Sequence, residues 1–158
     1  MRLKDFFELH RDEICENYLK PIGMASSKKD LADLLDINVC EWLCQMNVKH
    51  GGVGEWVAAN FGNFINGRFS NANDGYDTSL YCGFKSAMPM VLRTTVTGFI
   101  DCDVDIKLQK YEIRKIVCSK SMVHVTFEEE SHLLVAKDNE TEIVLDNADE
   151  SKITIKQL

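Results

Sequence analysis

The sequence contains no uninterrupted apolar run that approaches the roughly 20 residues needed to span a bilayer. Charged side chains already interrupt the apolar ones between Met1 and Glu8. We therefore expect a soluble, cytoplasmic protein that makes no membrane contact. With 158 residues, of which 45% are hydrophobic, the chain can form one well-packed domain or two small lobes that share a core.

The usual sequence signatures of a metal site are also absent. Cys40 and Cys44 lie four residues apart on a predicted helix, but tetrahedral zinc requires two further ligands. The four histidines are isolated from one another in the sequence: His10, His50, His124 and His132. Because the six cysteines are scattered and no export signal is present, we expect buried free thiols, no disulfides, no metal and no cofactor.

No catalytic motif is recognisable. The sequence shows no nucleophile with its base, no carboxylate pair and no phosphate loop. Gly51-Gly52-Val53-Gly54 is rich in glycine but is not followed by Lys-Ser or Lys-Thr, so we interpret it as a helix stop. We expect a protein that is not an enzyme and has no catalytic residues.

A ten-residue repeat occupies residues 121–158. Its four units each begin with a small hydroxyl residue: Ser121, Ser131, Thr141 and Ser151. Aliphatic residues follow two and four positions later, and polar turns separate the units. Since side chains two positions apart share one face of a strand, the repeat predicts four short strands that stack or form a ladder.

Two architectures fit such a repeat, a β-solenoid and an antiparallel meander. Residues 121–158 contain no glycine, although tight hairpins favour it. This absence favours the solenoid, in which the chain would bend gently at each corner. Cys102–Ile106 also fits the repeat, and Tyr111–Val117 fits it in part.

The N-terminal part has a helical period instead. Apolar residues predict one helix within residues 3–19, a second after Ser26 or Ser27, a third from about Val39 to Val48, and a short fourth around Trp56. The stretch 66–75 is rich in turn residues, and strands are expected at 78–84 and 91–100. We therefore predict an α+β protein with a helical lobe at 1–65, a turn-rich junction with the first strands at 66–93, and repeated strands at 94–158.

Negative charge is concentrated in the repeat. Residues 121–150 hold nine acidic residues and one basic residue, Lys137, although the whole chain has a net charge of −7. An acidic surface repels phosphate and attracts basic proteins. We therefore expect a protein partner with a basic surface or channel and no direct binding of nucleic acid. The acidic turns could equally serve only to keep strand edges soluble.

A second acidic feature is the alternation of Asp101, Asp103 and Asp105. On a strand these three carboxylates would project to one face, where they could hold a divalent cation or simply face solvent. The sequence leaves both readings open.

The segment from Asp138-Asn139 through Ile143 to Asp146-Asn147 resembles small proteins, common in bacteriophage genomes, that carry Asp-Asn-Ser-x-Val-type repeats behind an N-terminal helical segment. The resemblance covers residues 94–158 by pattern and the rest by arrangement. It implies a β-solenoid and a viral or mobile-element origin, and it implies no catalytic residues.

Together these features predict a non-catalytic protein-binding module, in the form of a phage-encoded, anti-CRISPR-like inhibitor that occludes the basic nucleic-acid channel of a host defence nuclease. The alternative is an assembly protein that self-associates through its strand edges. The predicted partner-binding residues are the turn carboxylates and two aromatic residues of the 66–75 loop region: Glu128, Glu129, Glu130, Asp138, Glu140, Asp149, Glu150, Phe69 and Tyr76.

Overall fold

A computed structural model describes residues 5, 8–14, 16, 20, 23, 24, 26, 37–61, 67–71, 76–146 and 150–158, with the backbone alone at 37–40, 58, 60, 61, 67–71 and 76–78. Nine of the seventeen residues of the predicted helix at 3–19 are described, and they include helical positions and the 3-10 helix Arg11–Glu13. The predicted helix after Ser26 lies largely outside these ranges. Within the part of the chain that is described, no helix is long and apolar enough to cross a membrane.

Among the described residues, two complete α-helices precede the strands, and both were predicted. Helix α1 spans Ile37–His50 and helix α2 spans Val53–Phe61. Gly51 and Gly52 separate them with φ angles of 70° and 69°, a left-handed conformation that glycine adopts without steric cost. The Gly51 amide donates a hydrogen bond to the Asn47 carbonyl oxygen and closes the end of α1.

Ten strands follow and form two sheets. They are β1 Gly67–Asn71, β2 Tyr76–Cys82, β3 Met90–Val91, β4 Val96–Ile100, β5 Asp103–Leu108, β6 Ile113–Ser119, β7 Met122–Phe127, β8 His132–Lys137, β9 Glu142–Leu145 and β10 Ile153–Gln157. The first sheet has the order β1-β2-β4-β6-β8-β10, and the second has the order β3-β5-β7-β9. All neighbouring strands are parallel except the antiparallel pair β1 and β2.

The chain therefore winds as a parallel β-solenoid of about four turns, and each coil contributes one strand to each sheet. Asp103 pairs with Met122 and Met122 pairs with Glu142, so successive coils are offset by 19 and then 20 residues. One coil thus contains two of the ten-residue units. The predicted α+β fold with a β-solenoid is confirmed, and the antiparallel meander is excluded.

Two strand boundaries differ from the sequence prediction. The expected strand at 91–100 is split between β3 and β4, which belong to different sheets. The turn-rich stretch at 66–75 contains β1, which pairs with β2. Propensity alone could not detect either feature, because β-branched residues suit both sheets equally well and a short hairpin strand carries a weak pattern.

Gly83 makes one corner of the solenoid with a φ angle of 61°, and residues other than glycine adopt the left-handed region at four further corners. Asp101 and Lys120, which lie 19 residues apart, have φ angles of 53° and 49°, while Tyr111 and Glu130 have 66° and 55°. The expectation of a gentle bend is therefore wrong, because a single strained residue makes each of these corners. Such conformations cost on the order of 1 to 3 kcal/mol each and persist only where neighbouring contacts hold them.

The core is made of aliphatic columns between the two sheets. Val104, Val123 and Ile143 stack on successive coils of the second sheet, and Ile116 and Val135 stack in the first. The larger side chains of Phe99 and Phe127 fill the space between the columns. Burial of these columns is what the period of two in the sequence predicted.

The helices cover the outer face of the first sheet. On this face Leu80, Ile100 and Val117 are fully buried although they point away from the solenoid core. Helix α1 packs against β2, β4 and β6, and α2 packs against β2. The outer face of the second sheet has no helix packed on it among the described elements.

Close packing at Gly54 supplies a test of this docking. A Cβ atom at Gly54 would lie 2.5 Å from Asp101 Oδ2 and 2.9 Å from Ile100 Cγ2. We expect Gly54→Ala to lower the free energy of unfolding by about 1 to 3 kcal/mol, because α2 must move away from the sheet. Urea denaturation would measure the loss.

The neighbouring exposed residue provides the control, since Glu55→Ala should change stability by less than about 0.5 kcal/mol. Equal stability of the two variants would contradict tight docking of α2 on the β4 corner.

Candidate functional site

The predicted acidic surface is divided between two opposite edges of the solenoid. The Lys120 edge consists of the turns at 101–102, 120–121 and 138–141, and the Glu130 edge consists of the turns at 109–112 and 128–131 together with residues 146 and 150–152. Glu128, Glu129, Glu130 and Glu150 lie on the Glu130 edge. Asp138 and Glu140 lie on the Lys120 edge, so the predicted residues do not form one continuous surface.

Lysines from neighbouring coils neutralise much of the Glu130 edge. Glu128 Oε1 lies 2.9 Å from Lys107 Nζ, and Glu129 Oε2 lies 3.0 Å from Lys110 Nζ. The Lys110 amide donates to Glu128 Oε2, and Lys152 Nζ donates to the Glu128 carbonyl oxygen. The hydrogen bond from Lys107, followed by that from the Lys110 amide, lowers the pKa of Glu128. Acidic and basic residues that are far apart in the sequence therefore lie next to each other on the Glu130 edge.

Asp138 is buried, so the expectation that it faces a partner is wrong. Its side chain and backbone are only 3% exposed. Oδ2 accepts hydrogen bonds from Ser119 Oγ and the Lys120 amide at 3.0 Å each, and Oδ1 accepts one from Thr141 Oγ1 at 2.6 Å. The carboxylate holds the strained Lys120 corner together. Glu140, by contrast, is exposed and lies 3.8 Å from Lys120 Nζ.

The hydroxyl residues that open the repeat units act at these corners. Ser121 Oγ accepts a hydrogen bond from the Cys102 amide and donates to the Ser119 carbonyl oxygen. Ser131 Oγ donates to the Glu128 carbonyl oxygen at 2.6 Å. Small hydroxyl side chains can form hydrogen bonds with nearby backbone amide and carbonyl groups. These bonds explain why the units at 121, 131 and 141 begin with serine or threonine.

Sequence analysis missed the connection between this corner and α1. Asn47 is fully buried, and its Nδ2 donates to Ser119 Oγ at 3.0 Å while its Oδ1 accepts from the Val53 amide. A polar chain therefore runs from the α1–α2 junction through Ser119 to Asp138. Asn47 has no distinguishing sequence context, so only the fold could identify it.

The remaining predicted contact residues are more dispersed. Phe69 and Tyr76 lie in β1 and β2 rather than in a loop, and their side chains are not described. Asp149 lies outside the described residues. Glu130 and Glu150 are exposed on the Glu130 edge.

The three alternating aspartates do not form one row. Asp101 sits at a left-handed corner, where burial raises its pKa and Lys120 opposes that rise. Asp103 and Asp105 lie on β5 and share the outer face of the second sheet. Asp103 Oδ2 lies 3.6 Å from Lys85 Nζ, and the question of a cation there stays open.

Four described cysteines are buried free thiols, as expected: Cys44, Cys82, Cys102 and Cys118. Burial raises the pKa of Cys102 to about 11 and that of Cys118 well above its usual value. Since the thiolate is the reactive form, neither group is suited to nucleophilic chemistry at neutral pH.

Two of the histidines that are far apart in the sequence are in contact. The rings of His10 and His50 have centroids 5.0 Å apart, and Glu13 lies beside both. Folding brings the segment around residue 10 against the end of α1.

The outer face of the second sheet has no helix packed on it among the described elements, and we name it the open face. Three rows of side chains cross its strands in register: Asp103, Met122 and Glu142; Asp105, His124 and Val144; Lys107, Thr126 and Asp146. Four of these nine residues are acidic and one is a lysine. Met122, which is 38% exposed, lies between two of the carboxylates.

Comparison of the chain with protein-family models, curated protein sequences and solved structures gave no match.

Substitution of Asp138 tests whether the carboxylate is structural. We expect Asp138→Ala to lower the free energy of unfolding by roughly 2 to 4 kcal/mol, because Ser119, Lys120 and Thr141 lose their acceptor in a buried environment. Chemical denaturation measures this loss.

Glu140→Ala is the matched control on the same turn, with an expected change below about 0.5 kcal/mol. A stable Asp138→Ala variant would show that the corner does not depend on the carboxylate.

Proposed function

We propose that this chain is a non-catalytic protein-binding module that holds a basic partner against the open face. The observation that carries the proposal is the unequal covering of the two sheets. Helices α1 and α2 bury the outer face of the first sheet, whereas no described helix packs on the open face, which carries charged and apolar side chains.

The composition of the open face suits a protein partner. Its carboxylates provide acceptors for lysine and arginine, and exposed Met122 and Val91 provide apolar contact area. Methionine adapts to irregular surfaces because its side chain is unbranched and polarisable. A flat sheet with polar groups around apolar side chains is a common arrangement in protein interfaces.

Asp105 offers a specific contact point within this face. Its Oδ1 atom is buried and has no hydrogen-bond partner among the described residues, while its amide donates to Ser86 Oγ at 2.7 Å. An unsatisfied buried oxygen is unfavourable. Rotation of the Asp105 side chain toward solvent would expose this oxygen to a lysine or arginine side chain of a partner.

The arrangement supports competition with nucleic acid. Asp103 and Glu142 share one row two strands apart, which corresponds to about 9.6 Å, and Asp103 and Asp105 are about 7 Å apart along β5. A basic channel responds chiefly to charge and oxygen geometry, so such a face can occupy it in place of phosphates.

The resemblance to phage solenoid proteins adds the biological setting that we propose. In that setting the partner is a host defence nuclease, and the chain acts as an anti-CRISPR-like inhibitor inside the bacterial cytoplasm. The neutralised Glu130 edge and the buried Asp138 make the open face a better contact surface than the turns originally predicted.

Charge reversal on the open face tests this proposal. We expect Asp103→Lys, Glu142→Lys and Asp146→Lys together to abolish capture of a basic bacterial protein, because the partner's lysines and arginines would meet like charges. Capture from lysate, identification by mass spectrometry and repetition at high salt would measure the effect. Wild-type capture should weaken at high salt.

The control variant carries the same change of charge elsewhere: Glu55→Lys, Glu130→Lys and Glu140→Lys. It should still capture the partner. Loss of capture by this control alone would place the contact on the turns, and capture that ignores salt and both variants would refute the electrostatic mechanism.

A second candidate function is assembly through the last coil. Strands β9 and β10 each have a neighbour on one side only, and a groove of about 640 Å³ between them is lined by Ile143, Val144, Leu145, Glu150, Ile153 and Ile155. Ile155 continues the core column of Ile116 and Val135 but is 49% exposed. Unpaired strand edges beside apolar side chains favour pairing with a second copy.

Light scattering tests this second candidate. If the last coil pairs with another copy, the molar mass should rise with protein concentration, and Ile155→Lys should restore the monomer. Leu134→Lys is the control, because Leu134 is 39% exposed on the first sheet and lies away from the groove. A monomer at every concentration would exclude assembly by this route.

A further inference from the structure

Three metal-binding side chains converge where the N-terminal segment meets α1. His10 precedes the short 3-10 helix Arg11–Glu13, Glu13 is its last residue, and His50 is the last residue of α1. Among the described residues, this is the one group of three or more histidine, cysteine or carboxylate side chains whose ligand atoms all lie within 4.8 Å of one another. His50 is 37 positions from Glu13 and 40 from His10 in the sequence, so the cluster is a product of folding.

The distances are close to those of a transition-metal site. Glu13 Oε1 lies 3.8 Å from His10 Nδ1 and 3.6 Å from His50 Nε2. Tetrahedral zinc with bonds of about 2.0 Å places its ligand atoms about 3.3 Å apart. Small side-chain rotations would therefore bring the three ligands to bonding distance without movement of the backbone.

The surroundings orient the carboxylate toward the histidines. Lys49 Nζ donates to Glu13 Oε2 at 2.8 Å, so Oε2 is engaged while Oε1 faces both imidazole rings. The same hydrogen bond is the main cause of the lowered pKa of Glu13, and it keeps the group ionised. A hydrogen bond to a ligand side chain, such as this one from Lys49 to Glu13, fixes the orientation of the ligand toward the metal.

The position at the end of α1 also favours a cation. The C-terminus of a helix carries partial negative charge from its unpaired carbonyl groups, and His50 lies at that end. His10 is the more enclosed ligand, with its side chain 12% exposed, while that of His50 is 40% exposed. A metal ion would be held on one side by protein and would remain open to water on the other.

We propose that His10, Glu13 and His50 form a zinc-binding site that ties the N-terminal segment to α1. Two imidazoles and one carboxylate are ligands that zinc prefers, and a water molecule would complete the tetrahedron. The site is independent of the proposed function, because it lies on the helical part and not on the solenoid faces.

Zinc titration against a chromophoric chelator tests the proposal. The wild-type protein should bind one equivalent of Zn²⁺, and His10→Ala and His50→Ala should each weaken binding by about tenfold or more, because loss of a ligand costs at least as much as loss of a second-shell partner. His132→Ala is the matched control and should bind zinc as the wild type does. Its ring contacts Thr154 on the solenoid.

The absorption spectrum of the cobalt-substituted protein distinguishes metal binding at this site from metal binding by the cysteines. With nitrogen and oxygen ligands, bound Co²⁺ should show visible d–d bands without the intense near-ultraviolet thiolate band that cysteine ligands produce. A thiolate band, equal zinc affinity of all three histidine variants, or no stoichiometric binding by the wild type would each overturn the proposal.

Circular dichroism of the metal-free variants completes the test. Since neither histidine belongs to the hydrophobic core of the solenoid, His10→Ala and His50→Ala should have the same spectrum as the metal-free wild type. Zinc should raise the melting temperature of the wild type only, because a ligand that binds the folded state alone stabilises it. Equal stabilisation of the wild type and both variants would count against these ligands.

Discussion

Each coil of the solenoid hydrogen-bonds along its strands to the coil before it and the coil after it, and the parallel pairing keeps equivalent residues in register. This register determines which residues can occupy the core positions and the corners of every coil. The inward positions must be aliphatic on every coil, as in the column of Val104, Val123 and Ile143. The corners must turn at the same place on successive coils, which forces Asp101 and Lys120 into the same left-handed conformation. Side chains such as Asp138 then compensate for the strain from the neighbouring coil.

The same register explains why charge in the sequence is a poor guide to charge in space. Residues 121–150 are strongly acidic along the chain, but the coil before them supplies Lys107 and Lys110 beside Glu128 and Glu129. In a stacked fold the electrostatic neighbour of a residue lies about 20 positions away. On the open face, Asp103 likewise lies 3.6 Å from Lys85 Nζ of the preceding coil, and the following coil places Met122 and His124 beside Asp103 and Asp105.

The sequence was sufficient to predict the strands and their stacking, because alternation and a constant period are local properties. The assignment of alternate units to different sheets was not predictable, since Val125 and Val135 show the same pattern and only the path of the backbone separates them. Asp138 was misplaced for a similar reason. Its neighbours, Lys137, Asn139 and Glu140, are those of an exposed turn, and its burial depends on Ser119 from the previous coil. The approach of His10 to His50 depends on tertiary folding and has no local signature.

The division of each coil into two ten-residue units has a consequence for how this chain can change its length. Duplication of twenty residues would add a whole coil and leave every existing face where it is, because each coil contacts only its neighbours. Duplication of a single unit would send all later strands to the opposite sheet and exchange the helix-covered side with the solvent side. Gain or loss of sequence should therefore be tolerated in pairs of units, and the solenoid can grow only in whole coils.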